Sequence, residues 1–272
     1  VKPDVPPSPQ PTNVSHGALL TSAMINILIL GGTTEASALA QALAERNISA
    51  TFSYAGRVAA LKPQPLSVRV GGFGGVEGLI TYLQTHRITH LIDATHPFAG
   101  QMSQHAVEAS QATGVPLIAL TRPAWESQPG DHWHIVPDID AAVDALSGDS
   151  QRVMLAIGRM HLPAFSVQPQ HHYLLRLVDA PYSPPPLPEH SVVVDRGPFT
   201  LDGDLALLRE HAIDVVVCKN AGGTGAAAKL VAARQLGLSV FMINRPPSPQ
   251  RQEVHCVDAV LDWLDQATER GV

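Results

Sequence analysis

Short apolar runs alternate with helix-compatible stretches along most of the chain. Between residues 25 and 121 the apolar runs have the length of buried strands, and the stretches between them carry apolar residues at helical spacing. The predicted strands are 25–30, 48–54, 66–70, 88–92 and 116–120, and the predicted helices are 34–46, 75–85 and 98–113. Right-handed β-α-β connections would join these strands into one five-stranded parallel sheet, which is a Rossmann-like half.

A second series of the same kind follows. Its predicted strands are 133–136, 152–157, 172–178, 191–195, 214–218 and 239–243, and its predicted helices are 138–146, 201–212, 223–236 and 256–268. Two such series predict an α/β fold in which two Rossmann-like parallel-sheet domains flank a central active-site cleft.

The domain boundary is expected where the alternation breaks. Residues 122–131 contain Pro and Trp and predict an interdomain linker, so we expect an N-terminal Rossmann-like domain at 24–121 and a C-terminal α/β domain at 122–272. Residues 1–23 are rich in proline and lack the pattern of a signal peptide. We expect them to be a flexible extension or a cloning remnant, with Met24 as the natural start.

Charge and cysteine content narrow the classes of partner. Lys and Arg total 18 against 24 Asp and Glu, a net charge of -6, which lacks the basic field that nucleic acids and anionic membranes attract. No apolar run reaches the length of about 18 residues that a membrane span needs. Cys218 and Cys256 form no CxxC pair, which favours a reducing compartment. We predict a cytoplasmic protein with no nucleic-acid or membrane partner.

The first loop predicted to bind a ligand follows the first strand. Gly31, Gly32, Thr33 and Thr34 stand at a strand-to-helix turn, where free amides and the helix dipole attract an anion. A tight turn alone would also need glycines, but the position at the first strand favours a dinucleotide phosphate. Glu35 is interpreted as a first-turn or capping residue, because a carboxylate would repel a diphosphate.

The end of the second strand bears on the choice of cofactor. NAD enzymes place an acid about 20 residues after the glycines to hold the ribose 2′-hydroxyl, and this chain has Ser53 and Arg57 there instead. Arg57 and Ser53 suit a 2′-phosphate and therefore favour NADPH. A surface arginine in a loop is the alternative interpretation.

Two further loops follow strands of the first half. GGFGG at 71–75, which includes Gly72, would let a flat ligand or a phosphate approach the backbone closely. DATHPFA at 93–99 places Thr95 and His96 at the carboxyl edge of the predicted sheet, which is the functional edge of an open α/β sheet.

The second half contains its own glycine-rich loop. Lys219, Asn220, Gly222, Gly223 and Thr224 follow a predicted strand and precede a helix that carries Lys229. This combination predicts an anion-binding loop, although the GxxxxGK[ST] spacing of a Walker A loop is absent.

Metal and acyl-transfer chemistry have no motif in the sequence. The 13 histidines include pairs at 132/134 and 171/172 and a single His161, but no nearby Cys or carboxylate completes a ligand set. GxSxG and HExxH are absent. We expect no metal, and we interpret these histidines as packed or solvated.

Four ordered motifs resemble a known family. ILILGGTTEA at 27–36, DATHPFA at 93–99, RGPF at 196–199 and KNAGGTGAAAKLVAAR at 219–234 together look like the precorrin-6A reductase family, with Ala221 where the family loop carries serine. The resemblance spans roughly 24 to 268. It implies NADPH-dependent reduction of one carbon–carbon double bond of precorrin-6A to give precorrin-6B in cobalamin synthesis, with no metal required.

The resemblance also implies a polycarboxylate tetrapyrrole as substrate. Such a substrate needs cationic partners, which Arg122, Arg159, Arg176 and Arg196 can provide. The expected substrate-binding residues are His96, Pro97, Phe98, Arg122, Arg196 and Lys229. An internal ion pair of Arg196 with Asp195 or Asp202 is the alternative to its role in binding.

The source of the proton is open at this point. His96 is the candidate catalytic residue, while a substrate carboxyl group or solvent are the alternatives.

Two alternatives are compatible with the same fold. The protein could be a different NADP-linked reductase or epimerase, or it could sense NADP without catalysis. The sequence contains no YxxxK pair, which disfavours a short-chain epimerase. The sequence separates neither precorrin-6A from its cobalt form nor one oligomeric state from another.

Overall fold

The computed structural model describes residues 25–56, 61–197 and 199–269. The chain builds two α/β sheets. The elements of the first series are β1 (Asn26–Leu30), α1 (Thr34–Glu45), β2 (Ser49–Tyr54), β3 (Ser67–Val70), α2 (Val76–Thr85), β4 (His90–Asp93), α3 (Gly100–Thr113) and β5 (Leu117–Leu120). They confirm every strand and helix predicted before residue 121, with small shifts at the ends.

The second series also follows the prediction closely. Its elements are β6 (His132–Val136), α4 (Ile139–Asp144), β7 (Arg152–Ala156), a 3-10 segment (Arg159–Val167), β8 (His172–Leu177), β9 (His190–Val194), α5 (Leu201–Glu210), β10 (Val215–Lys219), α6 (Ala228–Leu236), β11 (Ser239–Ile243), β12 (Glu253–Val254) and α7 (Val257–Glu269). The 3-10 segment and β12 are absent from the predicted elements.

Each sheet has six parallel strands, so the predicted number of five in the first sheet is wrong. The strand orders are β12-β5-β4-β1-β2-β3 and β6-β11-β10-β7-β8-β9. Both are the Rossmann order, but β6, which follows β5 in the chain, takes the sixth position of the second sheet, and β12, which follows β11, takes the sixth position of the first. The prediction of two Rossmann-like sheets is confirmed.

The exchange of β6 and β12 corrects the expected boundary of the second half. β12 pairs with β5 of the first sheet. α7, which was predicted within 122–272, packs on the first core through Val260, Leu261 and Leu264. The chain therefore passes between the sheets twice, along residues 121–131 and again along 244–252.

Both faces of the first sheet are covered, which explains the continuous apolar run of β1. Ile27 and Ile29 belong to the core that includes α1 and α7, whereas Leu28 and Leu30 pack with α2 and α3 on the other face. Strands buried on both faces need no polar alternation. Within the part of the chain that the structure describes, no helix is long and apolar enough to cross a bilayer.

Candidate active site

The first glycine loop is tightly fitted on its inner side and open on its outer side. A Cβ added at Gly31 would lie 2.2 Å from the Phe52 ring, whereas one at Gly32, whose φ is +129°, would meet nothing within 4 Å. Thr33 caps α1 by accepting from the Ala36 amide at 3.1 Å. Its hydroxyl also donates to the Ala94 carbonyl at 2.9 Å. The predicted glycine turn between β1 and α1 is therefore present, with the Gly31 amide donating to the Ser53 carbonyl at 2.9 Å.

Two neighbours in the first turn of α1 bond to each other. The Thr34 hydroxyl donates to Glu35 Oε2 at 3.0 Å. Glu35 lies in the first turn, as expected. The same carboxylate oxygen lies 3.6 Å from Arg122 Nη1, an ion pair that the sequence did not predict.

Ser53 is engaged by an arginine that sequence reasoning missed. Arg69 Nη1 donates to the buried Ser53 hydroxyl at 2.7 Å and to the Gly71 carbonyl at 2.9 Å, and Nη2 donates to the Gly72 carbonyl at 3.1 Å. The guanidinium lies 3.8 Å from the centre of the Phe73 ring, and burial lowers the pKa of Arg69. Arg57 lies outside the described residues, so its predicted role stays a prediction.

The loop after β4 is fixed by a buried carboxylate. Asp93 Oδ1 accepts from the amide and the hydroxyl of Thr95, at 3.1 and 2.7 Å. Asp93 Oδ2 pairs with Arg251, and both side chains are almost fully buried. Arg251 Nε also contacts Glu253 at 3.2 Å. Residues 121–131 and 244–252 are called the first and second crossing segments. Arg251 of the second crossing segment therefore holds the loop that carries His96 in place.

His96 lies at the tip of this loop as a neutral imidazole. Its Nδ1 accepts from the Phe98 amide at 3.2 Å, which places the ring proton on Nε2. Burial, together with the charges of Arg122, Lys219 and Arg245, lowers the pKa of His96 to about 4. Pro97 occupies the turn that follows.

Phe98 and Lys219 join the two domains at this point. Phe98 belongs to the first domain but packs against the core of the second. Lys219, the last residue of β10, places Nζ 4.9 Å from the centre of the Phe98 ring. The same nitrogen donates to His161 Nε2 at 2.8 Å. The structure thus brings together His96, Phe98 and Lys219, which the sequence placed in separate motifs.

The side chain of Asn220 is hydrogen-bonded to the first crossing segment. Its Oδ1 accepts from the Trp125 amide at 2.8 Å and its Nδ2 donates to the Trp125 carbonyl at 2.9 Å. Trp125 Nε1 donates to the Gly223 carbonyl at 2.7 Å. These hydrogen bonds connect the loop after β10 to the first crossing segment. Nothing in the sequence around Asn220 indicates them.

Arginines fill the space beside the second glycine loop. A Cβ at Gly223 would lie 2.6 Å from Arg122 Cδ, and one at Gly222 would lie 2.1 Å from the Pro123 carbonyl oxygen. Arg245 donates to the carbonyls of Asn220 and Ala221, at 2.9 and 3.2 Å. The two glycines therefore permit the close approach of the crossing segments.

Lys229 is buried at the start of α6. This helix begins at Ala228 rather than at 223, because Gly222 and Gly223 adopt φ of +69° and +74°. Lys229 Nζ donates to the Ala226 carbonyl at 2.5 Å and lies 4.7 Å from the Trp125 ring. Burial lowers the pKa of Lys229. Thr224, in the turn before the helix, is exposed.

Arg196 has an acidic partner, but a different one from those expected. Its Nη2 lies 2.9 Å from Asp179 Oδ1, and its side chain is 47% exposed. Arg176 is far more buried, paired with Asp204 and 3.5 Å from Asp195. Two nitrogens of Arg176, Nε and Nη1, are buried and have no hydrogen-bond partner among the described residues.

A cavity of about 530 Å³ lies at the carboxyl edge of the second sheet. His96 reaches it from the first domain and Trp125 from the first crossing segment. Its charged and polar lining residues from the second domain are Arg159, His161, Arg176, Asp179, Asp195, Lys219 and Lys229. Of the predicted substrate ligands it brings together His96 and Lys229, whereas Arg122 and Arg196 lie outside the described lining.

No cluster of three or more His, Cys, Asp or Glu side chains among residues 25–56, 61–197 and 199–269 could hold a metal ion. The expectation of a metal-free site stays a prediction.

Comparisons with known proteins agree with the four sequence motifs. Residues 26–265 match the family model described as precorrin-6x reductase CbiJ/CobK. A precorrin-6A reductase from Rhodobacter capsulatus is 56% identical over 251 residues, which are 92% of this chain and 100% of that protein. A cobalt-precorrin-6A reductase from Priestia megaterium is 30% identical, over 81% of this chain and 90% of that protein. The solved structure named CobK precorrin-6A reductase matches with a TM-score of 0.87 at 55% identity, over 92% of this chain and 100% of that chain.

Proposed function

This chain belongs to the precorrin-6x reductase family and is an oxidoreductase of cobalamin biosynthesis, and we propose that it reduces one carbon–carbon double bond of precorrin-6A with NADPH. The proposal rests on the match to this family, which covers residues 26–265. The cavity at the carboxyl edge of the second sheet supports it, because the cations in its lining suit a substrate that bears many carboxylates.

The first domain fits a dinucleotide. Gly31 leaves no room for a side chain, Gly32 is open, and the first turn of α1 follows them directly. We assign the diphosphate to Gly31, Gly32, Thr33 and Thr34, because amides at a helix N-terminus attract phosphate. When bound, NADPH supplies the hydride, while the protein supplies position and electrostatics.

The ribose end of the cofactor is assigned to the loops after β2 and β3. The described part of the β2 loop presents no carboxylate, and Arg69 holds Ser53 and Gly72 together beside it. A cationic rather than acidic environment supports NADPH over NADH. Arg57 is the proposed partner of the 2′-phosphate. Thr95 is proposed to contact the cofactor from the other side of β1, where the β4 loop lies beside the first glycine loop.

We assign the macrocycle to the cavity of the second domain. Lys229 is a buried cation whose ammonium carries three donors, and the structure places one of them on the Ala226 carbonyl. A substrate carboxylate would complete its hydrogen bonding and that of Arg176. Arg122 and Arg196 are proposed as further carboxylate partners at the rim, with Pro97 and Phe98 shaping the entrance.

Two finer points are also proposed. The higher identity to the precorrin-6A reductase than to the cobalt-precorrin-6A reductase supports the metal-free substrate. Both cysteines are free, which supports a reducing, cytoplasmic setting.

The test is anaerobic NADPH oxidation by the purified protein with precorrin-6A, followed by the loss of NADPH absorbance. Parallel reactions use cobalt-precorrin-6A, NADH, and no tetrapyrrole. We expect fast oxidation with precorrin-6A and NADPH and formation of precorrin-6B in equal amount. Tight NADPH binding with no oxidation by either tetrapyrrole would overturn the proposal and indicate a sensor.

A further inference from the structure

Lys219 and His96 face one cavity from different domains. The geometry points to Lys219, not His96, as the acid that delivers a proton to the substrate carbon next to the site of hydride addition. This inference rests on the proposed function, and it changes the role of Lys219 from a member of the predicted anion-binding loop to a catalytic residue.

His96 is poorly suited to donate a proton. Its Nδ1 is occupied by the Phe98 amide, so the ring already has its one neutral-form proton on Nε2. Burial opposes a second proton on the ring, and the charges of Arg122, Lys219 and Arg245 oppose it further. A neutral imidazole can still donate a hydrogen bond from Nε2, so His96 is left with a positioning role.

Lys219 has the required chemistry and location. It ends β10 at the carboxyl edge of the sheet and lines the cavity. Its ammonium is held by His161 at 2.8 Å and rests against the Phe98 ring. These contacts from two elements direct a group with three protons toward the place where both domains meet.

The other cations of the cavity are less suitable acids. Arg159 and Arg176 carry guanidinium groups, which do not give up a proton in proteins. Lys229 is deeper, with Nζ enclosed by the Ala226 carbonyl and the Trp125 ring. Among the described lining residues, Lys219 therefore combines a transferable proton with a position beside His96.

Reduction of the double bond adds one hydride and one proton to the substrate. One carbon of the double bond accepts the hydride of the reduced nicotinamide, and the two π electrons are left on its neighbour. That neighbour takes a proton from Lys219 Nζ, so two C–H bonds form, the nicotinamide is oxidised and Lys219 becomes a neutral amine. The amine then takes up a proton from solvent, and the sum is uptake of one hydride and one proton.

The test compares Lys219→Arg with Lys219→Gln. Arginine keeps the positive charge but is a very weak acid, whereas glutamine removes both the charge and the acid. We expect kcat to fall about a hundredfold or more in both variants, in line with the loss of an acid catalyst. Equilibrium binding of precorrin-6A without cofactor, followed by absorbance, and thermal unfolding are expected to stay near wild type in Lys219→Arg.

His96→Gln is the companion variant, since its amide keeps an N–H donor in the loop. We expect it to lower kcat less than Lys219→Arg does. If Lys219→Arg retains wild-type kcat, or if its whole defect is weaker substrate binding, Lys219 is an anchor and the inference is wrong. An inactive wild-type enzyme with precorrin-6A would instead refute the proposed function, so the two failures are distinguishable.

Discussion

Arg251 binds the buried carboxylate of Asp93, a residue 158 positions earlier in the chain. The other oxygen of Asp93 holds Thr95, directly before His96. One ion pair therefore connects the exchanged C-terminal segment to the loop that forms the first-domain wall of the cavity.

Arg251→Ala leaves the Asp93 carboxylate buried without its cation, and we expect a loss of about 3–5 kcal/mol in the free energy of unfolding. The matched control is Arg46→Ala, which removes a surface pair with Asp265 at 3.5 Å and costs at most about 1 kcal/mol. Urea unfolding measures both. Equal losses in the two variants would show that burial of the Asp93 pair contributes no special stability.

His96 gives the protein a defined sensitivity to acid. Its pKa is about 4 in the folded protein against an ordinary 6.5, so the unfolded chain binds a proton between these values that the folded protein does not. Stability from this group is full above pH 6.5 and is lost as the pH falls toward 4, by about 2 kcal/mol at pH 5.

His96→Gln removes this titration. We expect wild type to lose about 2 kcal/mol more than the variant when urea unfolding is repeated at pH 5 instead of pH 7.5. Other titrating histidines affect both proteins and cancel in the difference. An identical pH dependence of the two proteins would contradict the lowered pKa of His96.

Gly223→Ala tests the packing of the second glycine loop. The new methyl group would lie 2.6 Å from Arg122 Cδ on a backbone with φ of +74°. We expect the free energy of unfolding to fall by about 1–2 kcal/mol from the backbone strain alone. NADPH binding should also weaken, because Arg122 must move away from Glu35, whose carboxylate would then repel the diphosphate bound at the first turn of α1. Gly225→Ala is the control, since its methyl group meets nothing within 4 Å. Thermal unfolding and cofactor titration of both variants decide the matter.

Lys229→Met separates binding from folding. Removing a buried cation that is satisfied by substrate should raise the Kd of precorrin-6A about ten- to a hundredfold. Folding stability is expected to stay the same or to rise, because methionine avoids the desolvation of an ammonium. A destabilised variant with unchanged substrate Kd would mean that Lys229 is structural.

Arg57→Ala tests cofactor choice. We expect the Kd of NADPH to rise at least about tenfold and that of NADH to stay unchanged, because only NADPH has the 2′-phosphate. Arg209→Ala, an exposed change on α5, is the control. Fluorescence titration with both cofactors measures the two Kd values. If Arg57→Ala keeps the wild-type preference for NADPH, Arg57 does not bind the 2′-phosphate.

The strands and the first-domain helices could be predicted because each relies on local pattern. β1 is apolar from Ile27 to Leu30, and α1 begins directly after Thr33, whose side chain caps it. The loops at strand ends, including those of Thr95 and Lys219, follow from the rule that parallel strands direct their carboxyl ends to one edge.

The partners across the domains could not be predicted in this way. β12 has two residues, Glu253 and Val254, which is too short for any periodicity, and its partner strand β5 is far away in the sequence. The roles of Arg69, Arg245 and Arg251 depend on carbonyls and a carboxylate brought close only by folding. A lone arginine carries no local sign of such a partner.

The exchange of β6 and β12 also bears on how this protein is made. On the ribosome, β1 to β5 emerge first, but the strand that covers β5 emerges only after the whole second sheet has been synthesised. Domains usually fold as units in order of synthesis, and an uncovered strand edge invites pairing with other chains. The edge of β5 in the nascent first sheet therefore stays unpaired until β12 has been synthesised. Chaperone protection and the speed of translation through residues 122–252 are expected to govern the yield of native protein.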